Sequence, residues 1–469
     1  MMRTKSKYVV SLLLFSLLAS ACAAPAVEAP ATEVPAVATE VPVAEAAEPT
    51  PAPEPTAIVS NLGTGSMKLA FWNGLTGSDG VTLTAMLEGF VKDHPEISIT
   101  QEVIPWNTLY TKLQAAFVAN QPPDVFILHA SEIPQFSGYG VLKDLESFYT
   151  TGGGFLSPDD LSKVSYEGMQ FEGKTYGIPL DNHGRGLWIN LGAFEKAKVD
   201  PNAPQPTNYE GWVSLFQKLT LDKNGKNAAA ADFDPENVVQ WGFAVGEWPR
   251  VNLLSALEQN GAKMVSSDNK KIEINSDAGV KSLQQFVDLV YKYKVSPPAA
   301  GFDTWQGYST GAVAVLPTGS WFRNFAIEQT DIKGMAWPNF QFGPKKATWF
   351  GVHTWMVPVN LEGEKLEAVK TLIQWACQTD NQMAWAGSGQ VPALLSSQAK
   401  LDSKTYPSNI TFGKTFSEYG FIDYVSTVTQ ELYSALDPEI DAALNNTKSA
   451  KQALDDAAQR MQEILDRNK

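Results

Sequence analysis

The sequence predicts an α/β protein of two lobes, with a doubly wound sheet in the first. Three observations carry this. Strand and helix patterns alternate from Met67: MKLAFW reads as a strand, and Leu83, Met86, Leu87, Phe90 and Val91 form a helical stripe. ISITQEV then alternates as a strand, Trp106 to Ala119 is helical, and PPDVFIL is a short buried strand, an order that builds a sheet with helices on both faces. Roughly 400 residues follow the N-terminal Pro-rich tract, too many for one hydrophobic core, so two lobes are needed. The middle, from about Asn190 to Lys294, is mostly helical, with TNYEGWVSLFQKL as a clear amphipathic stretch.

Each element has a local reason. Ser78 or Asp79 can cap the first helix, and Pro95 ends it. AVAVLP (Ala312–Pro317) and TWMVPV (Thr354–Val359) are later strand signals. Lys448 to Asn468 is a helix with Leu454, Ala458, Met461 and Leu465 on one stripe. Trp188, Trp212 and Trp375 sit within regular patterns and are expected in the core. A doubly wound sheet binds ligand at the carboxyl ends of its strands, which points to Trp72, Asn73, Trp106 and His129.

The N-terminus carries a basic run (Arg3, Lys5, Lys7) and then Val9 to Leu18, an apolar run short for a bilayer, as in an export signal. LLASAC, ending at Cys22, resembles a bacterial lipobox, although Ala19 stands where lipoboxes favour Leu. Residues 1–22 are read as signal and lipobox. Residues 23–65, made largely of Ala, Pro, Glu, Thr and Val, are read as a disordered stalk. If Cys22 carries lipid, Cys377 has no partner for an intrachain disulfide and is read as a small buried residue. A net charge of −15 argues against nucleic acid as partner. The chain has 13 Trp, an excess that suits a ligand with apolar ring faces.

GMQFEGKT (Gly168–Thr175) fits the phosphate-loop spacing G-x-x-x-x-G-K-[ST]. The helix that such a loop needs is blocked by Pro179, and Glu172 would repel phosphate, so a hairpin turn at Glu172-Gly173-Lys174 is expected instead. LDKNGKN (Leu221–Asn227) lacks the full spacing and the distal Glu of a calcium loop and is read as a solvated turn.

Nearly the whole exported part resembles the extracellular solute-binding proteins of ABC transporters, sugar-binding branch. The resemblance rests on FWNGLTGSDG, FVKDHPEISI, PWNTLYTKLQAAFVANQPPDVFILHA, GKTYGIPLDNHGRGLWINLGAFEKA, QPTNYEGWVSLFQKLT, WGFAVGEWPRVNLLSALEQNGAK, GAVAVLPTGSW, GVHTWMVPVN and GSGQVPAL, in the family's order. It implies a type II periplasmic-binding-protein-like fold, two doubly wound α/β lobes joined by crossing hinge segments near Leu180, Phe302 and Met356. Residues 66–180 with 303–356 would form the first lobe, and 181–302 with 357–469 a more helical second lobe. Cleft residues implied by motif are Trp72, Asn73, Asp79, Trp106 and His129, then Asp181 and His183. Glu247, Trp248, Gly319, Trp321, Gly351 and His353 complete the set.

The expected activity is reversible capture of a sugar or oligosaccharide and delivery to an ABC importer, its permease and ATPase. The protein would be a monomer, lipid-anchored on the outer face of a bacterial cytoplasmic membrane, with no catalytic residue, cofactor or assigned metal site. The chemistry is plain: aromatic faces bury the C–H groups of a sugar ring, while Asp, Asn, Glu and His exchange hydrogen bonds with its hydroxyls. Two alternatives remain open. One is an exported glycosidase in which Asp181 and Glu247 formally supply a carboxylate pair. The other keeps the trap but changes the cargo to a polyamine, a metal ion or a phosphorylated polyol, for which Arg185 and Arg250 are the available cleft cations.

Overall fold

The computed structural model describes residues 57–328, 333–422, 424 and 426–468. The export signal, Cys22 and the stalk up to residue 56 lie outside the described residues. The last part of the expected stalk is folded: Ile58–Leu62 is a strand that pairs antiparallel with Ile97–Val103. Its Pro-free IVSNL run, after the last proline of the tract, can pair along its whole length.

The first lobe is built on a six-stranded sheet. Its order is Ile58–Leu62, Ile97–Val103, Met67–Asn73, Val125–His129, His353–Met356 and Ile178–Pro179. Met67–Asn73 runs parallel to both of its neighbours, the arrangement that the alternating pattern predicts. The Ser78–Asp93 helix buries Leu83, Met86, Leu87 and Phe90 against it and stops at His94, before Pro95. Its N-cap is Gly77, without a side-chain cap, because Asp79 turns back to accept from Gly80 N at 2.9 Å.

The second lobe centres on Leu187–Asn190, flanked by Val315–Leu316 and Gly334–Trp337, both antiparallel to it. Around it pack helices Tyr209–Leu219, Pro249–Asn260, Asp277–Tyr291, Thr429–Leu444 and Ala450–Arg467. Trp188, Trp212 and Trp375 are buried, as expected of core residues. Cys377 caps the Gly363–Ala376 helix, and burial pushes its thiol up to about 12.

Residues 303–350 pack in the second lobe: Tyr308 donates its hydroxyl to Ile189 O at 3.0 Å, and Val315 pairs with Ile189. Helices Gly363–Ala376 and Thr379–Ala386 pack on the first sheet through Leu372, Ile373 and Trp385. The strand at Val315 pairs beside Leu187–Asn190, while Leu316 and Phe322 share a buried cluster with Leu109, Phe126 and Leu128. The chain returns at Gly351–His353, where one strand ends opposite His183 and the next begins opposite His129. A four-stranded sheet of Val391–Pro392, Asp181–Gly184, Thr348–Gly351 and Gly420–Ile422 occupies this junction.

The two local motifs are turns. Gln170–Phe171 and Lys174–Thr175 pair antiparallel across Glu172 and Gly173, both at positive φ (48° and 76°), a two-residue hairpin. Asp222 accepts backbone N–H groups from Asn224, Lys226 and Asp234 and so holds the Leu221–Asn227 turn.

Candidate ligand-binding site

Strand pairing assembles an imidazole cluster at the junction. His129 and His353 are register partners on adjacent antiparallel strands. Asp181 and His183 are two residues apart on the Asp181–Gly184 strand and so share a face. The His183 ring stacks on His353 with centroids 3.8 Å apart. Asp181 is fully buried and holds the Nδ1 atoms of His353 at 2.9 Å and His183 at 3.2 Å. Trp385 Nε1 donates at 2.9 Å to Asp181 Oδ2, the oxygen that also holds His353. The Tyr110 hydroxyl is hydrogen-bonded to His129 Nδ1. Trp106 closes the cluster: its ring lies 4.2 Å from His129 and is parallel to His353 within 5° at 5.5 Å. Gly74 leaves space for that ring, since a Cβ there would meet Trp106 Cδ2 at 2.2 Å.

Burial sets the charges. It holds His183 down at about 4, with the neighbouring His353 imidazole acting in the same direction. It also holds His129 well below its ordinary range, again reinforced by His353 and His183. At Asp181 burial pushes the carboxyl up, but His353 and the hydrogen bonds from both imidazoles prevail and leave it well below the usual carboxylate range. Burial raises Asp79, offset only in part by His353 and by hydrogen bonds from Gly80 N and Gln390. His129, His183 and His353 can each offer a ring nitrogen, all within 4.8 Å of one another, which is the donor set for a metal ion.

A cavity of about 580 Å³ opens beside this cluster. Trp106, Tyr110, His129 and Glu132 line it from the first lobe. Trp248, Arg250 and Trp349 line it from the second, with a stripe on the Thr429–Leu444 helix formed by Gln430, Tyr433, Asp437 and Asp441. Arg250 pairs with Asp437 at 2.5 Å and lies 4.0 Å over the Tyr433 ring. The Gln430 amide donates to Glu132, which ties the two walls together. Trp248 is 49% exposed and holds φ at +46°. A bulky side chain rarely adopts that backbone, and such strain concentrates at ligand sites.

The expected cleft residues divide into three groups. Trp106, His129, Asp181, His183 and His353 meet in one cluster, and Trp248 faces it across the cavity. Trp321 stands 5.6 Å from Trp248 and 6.3 Å from His183, ring centroid to ring centroid. Glu247 is buried, ion-paired with Arg185 and hydrogen-bonded by the Thr318 hydroxyl at 2.9 Å, so its carboxylate is already engaged. Gly319 lies under the Trp321 ring and gives its carbonyl to Trp188 Nε1 at 2.9 Å. Gly351 lies under His183, where a Cβ would meet Nε2 at 2.6 Å. Asp79 accepts from Gln390 at 3.2 Å and is near enough to His353 and Asp181 to be acted on by their charges.

Trp72 and Asn73 are not in the cavity wall. Trp72 Nε1 donates to Glu102 at 2.9 Å, and Lys112 covers its ring at 4.1 Å. The Asn73 side chain accepts from Leu75 N at 3.1 Å and shapes the turn. Sequence reasoning missed Tyr110, Glu132, Trp349 and the helical stripe. The stripe had a signal, because Gln430, Tyr433, Asp437 and Asp441 recur at helical spacing along one face of a helix. The pairing of Glu132 with Gln430 had none, since 298 residues separate them.

Known proteins share this architecture. A binding protein for sn-glycerol 3-phosphate from Brucella abortus is 22% identical over 418 residues, covering 84% of this chain and 92% of its own length. Another Brucella abortus relative is 28% identical over only 118 residues, so the chain spans 26% of that relative's length. The Listeria monocytogenes ABC substrate-binding protein in complex with cycloalternan superposes with a TM-score of 0.72 at 21% identity, covering 85% of this chain and 99% of that one. The maltose-bound MalE3 of T. maritima gives 0.72 at 20% identity, with 85% and 100% covered. These structures establish the type II periplasmic-binding fold. The sequence model for bacterial extracellular solute-binding proteins matches residues 85–412, well over half of the chain, and the chain therefore belongs to that family.

Proposed function

We propose that this chain is a lipid-anchored extracytoplasmic receptor that captures a sugar or oligosaccharide between its lobes and delivers it to an ABC importer. The observation that carries the reading is the cavity itself. Trp106 and Trp248 bring aromatic rings from the two lobes, the buried Trp349 and the Arg250-covered Tyr433 complete the wall, and Glu132, Asp437 and Asp441 bring hydrogen-bond acceptors among them. This is the combination that a sugar needs: apolar faces for its C–H groups and acceptors for its hydroxyls. Neighbours of the same fold bind cycloalternan and maltose, which supports the same class of cargo here.

A phosphorylated polyol fits less well. Arg250 lines the cavity but is paired with Asp437, next to two further carboxylates. Hydrolysis also lacks support: Asp181 is committed to two imidazoles and Trp385, and Glu247 to Arg185 and Thr318. The anchor would be Cys22, and mass spectrometry of protein from its own membrane tests for a diacylglyceryl group there. Among the described residues no helix is long and apolar enough to cross a membrane.

A thermal-shift screen against mono- and oligosaccharides tests the cargo. A ligand at 100 Kd raises the folded state's stability by about 2.7 kcal/mol. A shift with sn-glycerol 3-phosphate or a polyamine, and with no sugar, would overturn the sugar reading.

A further inference from the structure

The imidazole cluster is more elaborate than a sugar contact requires. Three of the four histidines of the chain converge on one point, with ring nitrogens within 4.8 Å of one another. Each Nδ1 is already occupied: those of His183 and His353 by Asp181, and that of His129 by the Tyr110 hydroxyl. This leaves Nε2 on each ring as the coordinating atom. A carboxylate or hydroxyl on the far nitrogen is how proteins fix the tautomer and orientation of a metal-bound imidazole. His183 supplies an independent observation. It is 2% exposed, and its Nε2 has no hydrogen-bond partner among the described residues. A buried orphan nitrogen on a ring packed against two other imidazoles is costly unless something occupies it.

We infer that His129, His183 and His353 coordinate a divalent transition-metal ion of the Zn²⁺ class, with Asp181 and Tyr110 as the outer partners that orient the rings. The donor set decides the class. Three imidazole nitrogens suit Zn²⁺ and its neighbours, whereas Mg²⁺ and Ca²⁺ take oxygen. A tetrahedral ion with nitrogens at about 2.0–2.1 Å needs them about 3.4 Å apart, so binding requires the stacked His183 and His353 rings to turn apart and the three nitrogens to draw in from their present spacing. The buried carboxylate of Asp181 compensates part of the ion's charge. Three protein ligands leave a fourth position for water or a ligand oxygen. His129 also lines the cavity, so the site lies beside the bound cargo. This inference does not rest on the sugar reading; it adds a metal to a site for which the sequence assigned none.

The test uses the full chain, stripped with chelator and titrated calorimetrically with Zn²⁺, Mg²⁺ and Ca²⁺. The expected result is one equivalent of Zn²⁺ bound at micromolar affinity or tighter, no saturable heat with Mg²⁺ or Ca²⁺, and the visible absorption of tetrahedral Co²⁺ on substitution. His129→Gln, at a partly exposed position, is expected to weaken Zn²⁺ by at least ~100-fold while melting near the wild type. Tyr110→Phe, which removes only the outer hydroxyl, is expected to weaken it by about 10–100-fold. Stripped wild-type protein with no saturable Zn²⁺ heat would overturn the inference, as would a folded His129→Gln protein that binds Zn²⁺ as tightly as the wild type.

Discussion

Trp248 and Trp321 stand with ring centroids 5.6 Å apart, and the buried guanidinium of Arg185 lies within 6 Å of both rings, 5.9 Å from the first and 5.4 Å from the second. The arrangement is layered. Arg185 is fixed by Glu247 and by the carbonyls of Pro317, Glu247 and Trp248. Trp321 packs on two of the three buried hydrophobic clusters, and Trp248 lines the cavity beside it. A half-exposed indole is thus held by its backbone and by a buried cation, with little burial of its own.

We propose Trp248 as a ligand contact whose loss would leave the core intact. Replacing it with Ala is expected to weaken sugar binding about ten- to a hundredfold, the loss of roughly 1.5–3 kcal/mol of apolar burial on the ligand. Trp248→Gly should lose the same affinity yet melt at or above the Ala variant, because Gly accepts a φ of +46° that Ala does not. Calorimetry and thermal melts on the two variants check this. Normal binding by either would remove Trp248 from the site.

Glu247 behaves in the opposite way. Truncating it to Ala leaves the Arg185 guanidinium buried without its counter-charge, which typically costs about 3–5 kcal/mol. Denaturant unfolding of Glu247→Ala should show that loss, and Glu247→Gln, which keeps an acceptor for Arg185, should lose less. Full stability with lost sugar affinity would show Glu247 to be a direct ligand contact instead.

Part of this site was legible because it depends on local pattern. The strand ends at Asn73 and His129 and the helix start at Trp106 follow from alternation and from the rule for open α/β sheets. Trp106 and His129 meet at the site, but Trp72 is drawn aside by Glu102 and Lys112, charges placed by the next strand and helix. The imidazole cluster depends on two non-local pairings, His353 with His129 and Gly351 with His183. Nothing within one segment specifies those registers. The sheet that a later strand joins is hidden for the same reason. Val315 reads as a strand, but which sheet it joins is decided by Ile189, 126 positions earlier in the chain.

The GMQFEGKT segment should bind no nucleotide. It forms a hairpin through Glu172 and Gly173, and after Thr175 the chain enters another short strand at Ile178 with no intervening helix, so no helix N-terminus faces a phosphate. Titration with ATP and Mg²⁺ is expected to give no saturable heat. A micromolar site abolished by Lys174→Ala would contradict the hairpin reading.

Stability should fall on mild acidification because of His183. Its folded pKa is about 4, against an ordinary 6.5, so between these values the unfolded chain binds a proton that the folded chain refuses. The contribution is therefore present above about pH 6.5 and is lost as pH falls toward 4. The groups facing the ring are Asp181, His353 and His129. His129 is lowered in the same direction and adds to the loss, whereas Asp181 holds its own contribution to far lower pH. One proton of difference gives a slope of about 1.4 kcal/mol per pH unit. In chelator, so that bound metal does not compete with protons, the urea midpoint should drop between about pH 7 and about pH 5, ahead of most surface carboxylates. His183→Asn removes the titrating ring and should flatten that drop while lowering the midpoint at neutral pH. An equal drop in both proteins would place the acid sensitivity elsewhere.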